Sequence, residues 1–197
     1  SADMHDHCWN SRLMPGAKNH TIGLVGFGGI GTEVAKRAVP FGMKVIYFCR
    51  HPNPADDAAY GVQSVSMEEL LKESDYVVAA VPLTDQTFHL FNEERIAQMK
   101  AGSVLINIAR GPVVDEEALA QALASGHLGG CAVDVFPKEP CTNSVLTRYA
   151  NALLTPHSAT STAENSKATN FAAANNLVNY LKKDIDAKYV VVQGTRY

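Results

Sequence analysis

The six residues Gly26-Phe27-Gly28-Gly29-Ile30-Gly31 carry the densest chemical signal in the chain, and they fit the pattern GxGxxG. An apolar run, Ile22–Val25, precedes them, and a stretch with helical spacing, Thr32–Arg37, follows. In that context such a loop holds a pyrophosphate. Gly26 permits the tight turn, Gly28 lets the backbone approach phosphate without a Cβ in the way, and Gly31 lets the helix pack close to the strand. Gly29 and Ile30 complete the expected contact surface. Phosphate oxygens then meet free N–H groups at the positive end of the helix dipole. The end of the next apolar run, Val45-Ile46-Tyr47-Phe48-Cys49-Arg50, selects the cofactor. An NAD site typically places Asp or Glu there, about 20 residues after the glycines, on the ribose 2′-OH. Cys49 stands in that place and Arg50 follows it. The missing carboxylate removes repulsion toward a 2′-phosphate, and a charged hydrogen bond from Arg50 is worth roughly 1.5–3 kcal/mol. The expected cofactor is NADP or NAD, with NADP preferred.

Three later segments carry polar side chains at the ends of apolar runs: Arg110 after Ile106–Ala109, Asp134 and Glu139 in Ala132–Pro140, and His157 in Leu154–Thr160. Taken singly, each is an ordinary loop residue. What makes them a set is the scaffold. Apolar runs at Thr21–Val25, Val45–Phe48, Tyr76–Val81, Val104–Ile108, Cys131–Val135 and Ala152–Thr155 alternate with helix-period stretches. Those stretches are Gly31–Val39, Met67–Lys72, Asn92–Met99 and Asp115–Ala124. Short runs that are apolar on both faces read as strands buried in a parallel sheet. The expected fold is therefore α/β, a doubly wound parallel sheet of Rossmann type in three α/β/α layers. In such a sheet the carboxyl ends of the strands line the ligand crevice, so Arg110, Asp134, Glu139 and His157 are expected on one rim.

Residues 1–20 read as a polar tail or linker, 21–160 as the dinucleotide-binding domain, and 161–197 as a crossing helix (about Thr162–Lys183) with a short apolar piece, Tyr189–Val192. With 197 residues, 46% hydrophobic and 19% charged, the composition is that of a globular protein. A net charge of -3 argues against a nucleic-acid partner. No apolar run reaches the roughly 18 residues of a membrane span, and none at the start resembles a signal peptide. Cys8, Cys49, Cys131 and Cys141 are scattered, which reads as reduced thiols and a cytoplasmic location. The cluster His5-Asp6-His7-Cys8 lies in the polar tail without a fixed frame, so no metal site is expected.

From about Trp9 to its end the chain resembles the D-isomer-specific 2-hydroxyacid dehydrogenases, of the phosphoglycerate dehydrogenase and glyoxylate-hydroxypyruvate reductase type. The resemblance rests on GLVGFGGIG, VPLTDQTFHLFNEERIAQMKAGSVLINIARGPVVDEEAL, DVFPKEP and TPH, in that order. It implies an oxidoreductase passing a hydride between NAD(P) and a small 2-hydroxy acid or 2-keto acid. On the matching positions, His157 would be the acid/base and Glu139 the carboxylate that supports it. Arg110 would hold the substrate carboxylate, which suits a guanidinium fork. Asp134 would hold the nicotinamide carboxamide. Val81 and Pro82 would wall the adenine pocket, and Ile108, Ala109, Arg110 and His157 would complete the cofactor contacts. A homodimer is also implied.

The chain departs from the family in two ways. Gly29 replaces a longer side chain often found in the motif, and the long N-terminal segment that makes most of the family's substrate domain is not seen. The nicotinamide face is then expected to lie open to water, so that the chain alone binds cofactor but turns over weakly. The competing reading is a corepressor-like interaction module that senses the nucleotide without catalysis. A methyltransferase is disfavoured by the complete glycine spacing and by the DVFPKEP and TPH segments.

Overall fold

A computed structural model describes residues 16–184 and 186. Its core is a seven-stranded parallel sheet with the spatial order β3-β2-β1-β4-β5-β6-β7. The strands are β1 (Thr21–Val25), β2 (Lys44–Phe48), β3 (Gln63–Ser64), β4 (Tyr76–Ala79), β5 (Val104–Asn107), β6 (Gly130–Val133) and β7 (Ala152–Leu154). The helices are α1 (Gly29–Ala38), α2 (Pro54–Tyr60), α3 (Met67–Glu73), α4 (Glu93–Ala97), α5 (Glu116–Ala124) and α6 (Ala163–Leu181). This is the doubly wound α/β fold expected from the alternating pattern. The chain runs outward from β1 to β3, then returns past β1 to β4. The switch point therefore lies between β1 and β4, where such sheets form their crevice.

Alternation along β1 explains the two faces. Ile22 and Leu24 join an apolar cluster with Ala35, Val45, Tyr47 and Val78. Val25 joins the larger cluster on the opposite face, with Leu70, Leu71, Phe91, Leu105 and Leu119. Gly23, in the middle, has no room for a side chain against Leu70 and Ser74. Most helices begin where the sequence supplies a cap. Asn53, Ser66, Asn92, Asp115 and Thr162 each accept a hydrogen bond from a first-turn N–H.

Several boundaries differ from the sequence reading. β3 and α2 were not expected. The strand has two residues without an apolar run, and α2 has no buried residue that would give a helical period. The strands after β3 end one or two residues earlier than the apolar runs; after β4 and β5 the residues beyond the strand, Ala80, Val81 and Ile108, line cavities instead. α1 starts at Gly29 rather than Gly31, inside the glycine motif. β7 is an edge strand and its Leu153 is 66% exposed, so it is not buried on both faces. Periodicity reports local apolarity but not a strand's place in the sheet order.

The chain divides into two compact units, one ending at Pro156 and the other starting at His157. Within the second, α6 runs for 19 residues from its Thr162 cap with no buried side chain. Tyr189–Val192, the His5–Cys8 cluster and most of the 1–20 tail lie outside the described residues.

Candidate cofactor and active site

The glycine loop leaves β1 and enters α1. Gly26 has a φ of 102°, and a Cβ there would strike the carbonyl of Ala80 at the end of β4. At Gly31 a Cβ would strike the carbonyl of Gly26. These two glycines are required by the protein itself. Gly28 and Gly29 differ, since a Cβ on either would meet none of the described residues within 4 Å. Gly28 is also the N-cap of α1 and brings no side-chain acceptor. The first turn thus presents N–H groups to an open cradle, which fits a pyrophosphate.

Two cavities adjoin this loop. The first, about 540 Å³, is lined by Gly26–Gly28, by Phe48, Cys49, Arg50 and His51 after β2, by Ala80–Pro82 after β4, and by Thr84, Thr87 and Arg95. Among the described residues no carboxylate lines it. The second, about 430 Å³, is lined by Ile30, Ala80–Leu83 and Ile108–Arg110. Ala80, Val81 and Pro82 are shared by both. Together the two cavities run from the end of β2 to the end of β5, as an extended dinucleotide requires. Ile30 is 57% exposed on the rim of the second.

Arg110 sits in a turn that the sequence reading passed over. Asn107, the last residue of β5, is 1% exposed. Its side-chain oxygen accepts from the Ala109 N–H at 3.1 Å, and its amide donates to the Arg110 carbonyl at 3.1 Å. One buried side chain thereby closes the turn that carries the arginine. Gly111 then packs so tightly on Phe136 that a Cβ would fall within that residue's backbone. This contact ties the Arg110 turn to the loop after β6. Arg110 itself is exposed, and its guanidinium donates to the Ala109 carbonyl at 2.7 Å.

On that next loop Asp134 is 8% exposed, and its carboxylate accepts from the Thr155 hydroxyl at the end of β7. Its own N–H donates to the Asn107 carbonyl at 3.1 Å. Glu139 is exposed, and its Oε1 accepts from the Phe136 N–H at 2.9 Å, curling the loop back on itself. His157 begins the second unit. Its backbone is left-handed, with a φ of 49°. That conformation costs a non-glycine residue of order 1 kcal/mol and is concentrated at functional positions.

The first unit thus brings the glycine loop, Cys49, Arg50, Val81, Pro82, Ile108, Ala109 and Arg110 around two adjoining cavities. Asp134 and Glu139 follow on the next strand end. The sequence reading missed Asn107, His51 and Arg95. Of these, Asn107 had a local signal, because a buried-run amide just before an arginine turn is a natural staple. Among the described residues no group of His, Cys, Asp and Glu could hold a metal, and no helix is long and apolar enough to cross a membrane.

Comparison with known proteins places this geometry. Residues 1–159 match the model of the D-isomer specific 2-hydroxyacid dehydrogenase NAD-binding domain. Glyoxylate reductase of Thermococcus litoralis is 42% identical over 175 residues, covering 89% of this chain and 53% of that protein. A glyoxylate reductase structure from Paecilomyes thermophila superposes with a TM-score of 0.85 at 36% identity, covering 92% of this chain and 56% of the other. The D-lactate dehydrogenase of Aquifex aeolicus, complexed with NAD and lactic acid, gives 0.85 at 30% identity, covering 93% and 60%. The chain spans about half the length of the curated relatives it matches.

Proposed function

Since the chain belongs to the D-isomer specific 2-hydroxyacid dehydrogenase family through its NAD-binding domain, we propose that it serves an oxidoreductase that interconverts a small 2-keto acid and its 2-hydroxy acid, with NADP(H) preferred over NAD(H). The observation that carries this reading is the open glycine cradle continuous with cavities that reach Arg110. When bound, the nicotinamide supplies or accepts the hydride. Everything else falls to side chains of the protein.

In this reading Arg110 grips the substrate carboxylate and polarises the adjacent carbonyl, because a guanidinium presents paired donors to an anion. His157 gives a proton to the carbonyl oxygen as hydride reaches the carbonyl carbon, and takes it back in the reverse direction. Glu139 is the carboxylate assigned to support that histidine. Asp134, fixed by Thr155, holds the carboxamide. The preference for NADP(H) draws support from Arg50 and His51 lining a cavity to which no described residue brings a carboxylate. The dinucleotide-binding domain is taken to be 21–160, and the reading includes a homodimer.

The test is a nicotinamide fluorescence titration with NADPH and NADH, followed by NADPH oxidation with glyoxylate and hydroxypyruvate. NADPH should bind more tightly, and Arg50→Ala should erase the difference. Arg110→Ala and His157→Ala should remove turnover while leaving nucleotide affinity within about threefold. Turnover that survives His157→Ala would overturn the assignment of that residue.

A further inference from the structure

Resting on the nicotinamide-dinucleotide reading above, we propose that Tyr47 is a positioning residue that joins the pyrophosphate loop to the loop gripping the adenosine ribose, so that NADP(H) is held at both anionic ends by one strut. Tyr47 lies in β2 and is fully buried. Its ring stacks on Phe27, the second residue of the glycine motif, with centroids 4.0 Å apart and planes 21° from parallel. Tyr60 meets the Phe27 ring edge-on at 6.2 Å. The Gly26 N–H donates to the carbonyl of Phe48, next in sequence to Tyr47, at 2.8 Å. The glycine loop is therefore fixed to β2 by both backbone and ring.

The hydroxyl end of the same side chain does something different. It donates to Asp57 Oδ1 at 2.8 Å, and Asp57 is in the middle of α2. This helix has seven residues, none of them fully buried; its last, Tyr60, packs on Phe27, and the Tyr47–Asp57 bond holds its middle. Its cap, Asn53, accepts from the Ala55 N–H and closes the segment Cys49–Asn53. Arg50 and His51 lie in that segment and line the cofactor cavity. Both ends of the segment thus lead back to Tyr47, one through the chain and the other through Asp57. A phenylalanine would fill the core and stack on Phe27 equally well. A buried hydroxyl costs free energy unless it is bonded, so the tyrosine is explained by its reach to α2. Burial, followed by the Asp57 carboxylate, pushes the Tyr47 phenol up to about 12, and it remains a donor at any ordinary pH.

The test uses the full chain with Tyr47→Phe, Asp57→Ala and Asp57→Asn. Tyr47→Phe should raise the NADPH dissociation constant about tenfold and that of NADH less than about threefold, because only the 2′-phosphate depends on Arg50 being held in place. Asp57→Ala should reproduce this selective loss. Asp57→Asn keeps an acceptor for the hydroxyl and should stay within about twofold of the parent. In the free chain, amide hydrogen exchange over residues 53–61 should quicken in Tyr47→Phe, while β4, β5 and β6 keep their protection. Equal loss of both nucleotides, loss of neither, or unchanged exchange over 53–61 would overturn the proposal. If the unsubstituted chain binds neither nucleotide, the cofactor reading fails at that point, and the exchange result alone decides whether Tyr47 holds α2.

Discussion

Replacing Asn107 by alanine should cost stability beyond the size of the side chain, because it strips a buried backbone N–H of its acceptor and removes one of the two donors to the next carbonyl. The Ala109 N–H loses its acceptor, while the Arg110 carbonyl loses one donor and keeps the Val113 N–H at 3.0 Å. Ala109 is only 6% exposed, so water cannot readily replace the lost acceptor. A buried group left unsatisfied costs about 1–3 kcal/mol. The Arg110 carbonyl keeps its backbone bond from Val113 and adds little to that cost. The total is therefore roughly 1–3 kcal/mol, and at 2–4 °C per kcal/mol for a domain of this size the melting temperature should fall by roughly 2–12 °C. Differential scanning calorimetry measures the first effect. The functional effect is separable, because the glycine cradle that would hold the phosphates follows β1, whereas this turn follows β5. NADPH affinity at 25 °C should stay within about threefold, while kcat/KM falls at least tenfold as Arg110 loses its fixed backbone. Asn107→Asp, which keeps the acceptor but not the donor, should fall between the two. A melting temperature within 2 °C of the parent would refute the idea that this side chain closes the Arg110 turn.

Two further outcomes follow from the geometry. Gly28→Ala should leave the melting temperature nearly unchanged, since a Cβ there meets none of the described residues within 4 Å, yet weaken nucleotide binding at least tenfold by occupying the phosphate space. Gly31→Ala should instead destabilise the fold by about 1–3 kcal/mol through its clash with the Gly26 carbonyl; equal melting temperatures for the two variants would contradict this division of roles. At the opposite end of the sheet, burial raises the Asp75 carboxyl, but hydrogen bonds from Lys100 Nζ at 2.6 Å and the Thr21 N–H at 2.8 Å outweigh it and hold the group below its usual value. A depressed carboxylate stabilises the fold above its unfolded pKa and loses that contribution as pH falls through the folded value. Asp75→Asn should therefore cost about 1–2 kcal/mol at pH 7, and urea titrations should show the gap closing as the pH drops below about 4. A gap that stays constant from pH 7 to pH 2.5 would show that the charge is not the source.

The glycine motif, the α/β class and six of the seven strands were legible in the sequence, because each depends on local requirements. Gly26 and Gly31 are dictated by a positive φ and a close backbone approach, and only glycine meets those needs. β1, β2, β4, β5 and β6 are apolar runs because both of their faces are buried. β3 and α2 were hidden, since a two-residue strand and an unburied seven-residue helix leave no periodic trace. Residue type and spacing therefore pointed to the phosphate cradle and the cofactor class, while strand-end positions and the family resemblance singled out Arg110, Asp134, Glu139 and His157. Tertiary structure decided what the residues between them do. It set β7 at an edge with Leu153 exposed, gave Asn107 the task of closing the Arg110 turn, and brought Phe27, Tyr47 and Asp57 together from three elements. Periodicity records which residues avoid water, but the partner each one meets is fixed only when strand order and register bring distant segments into contact.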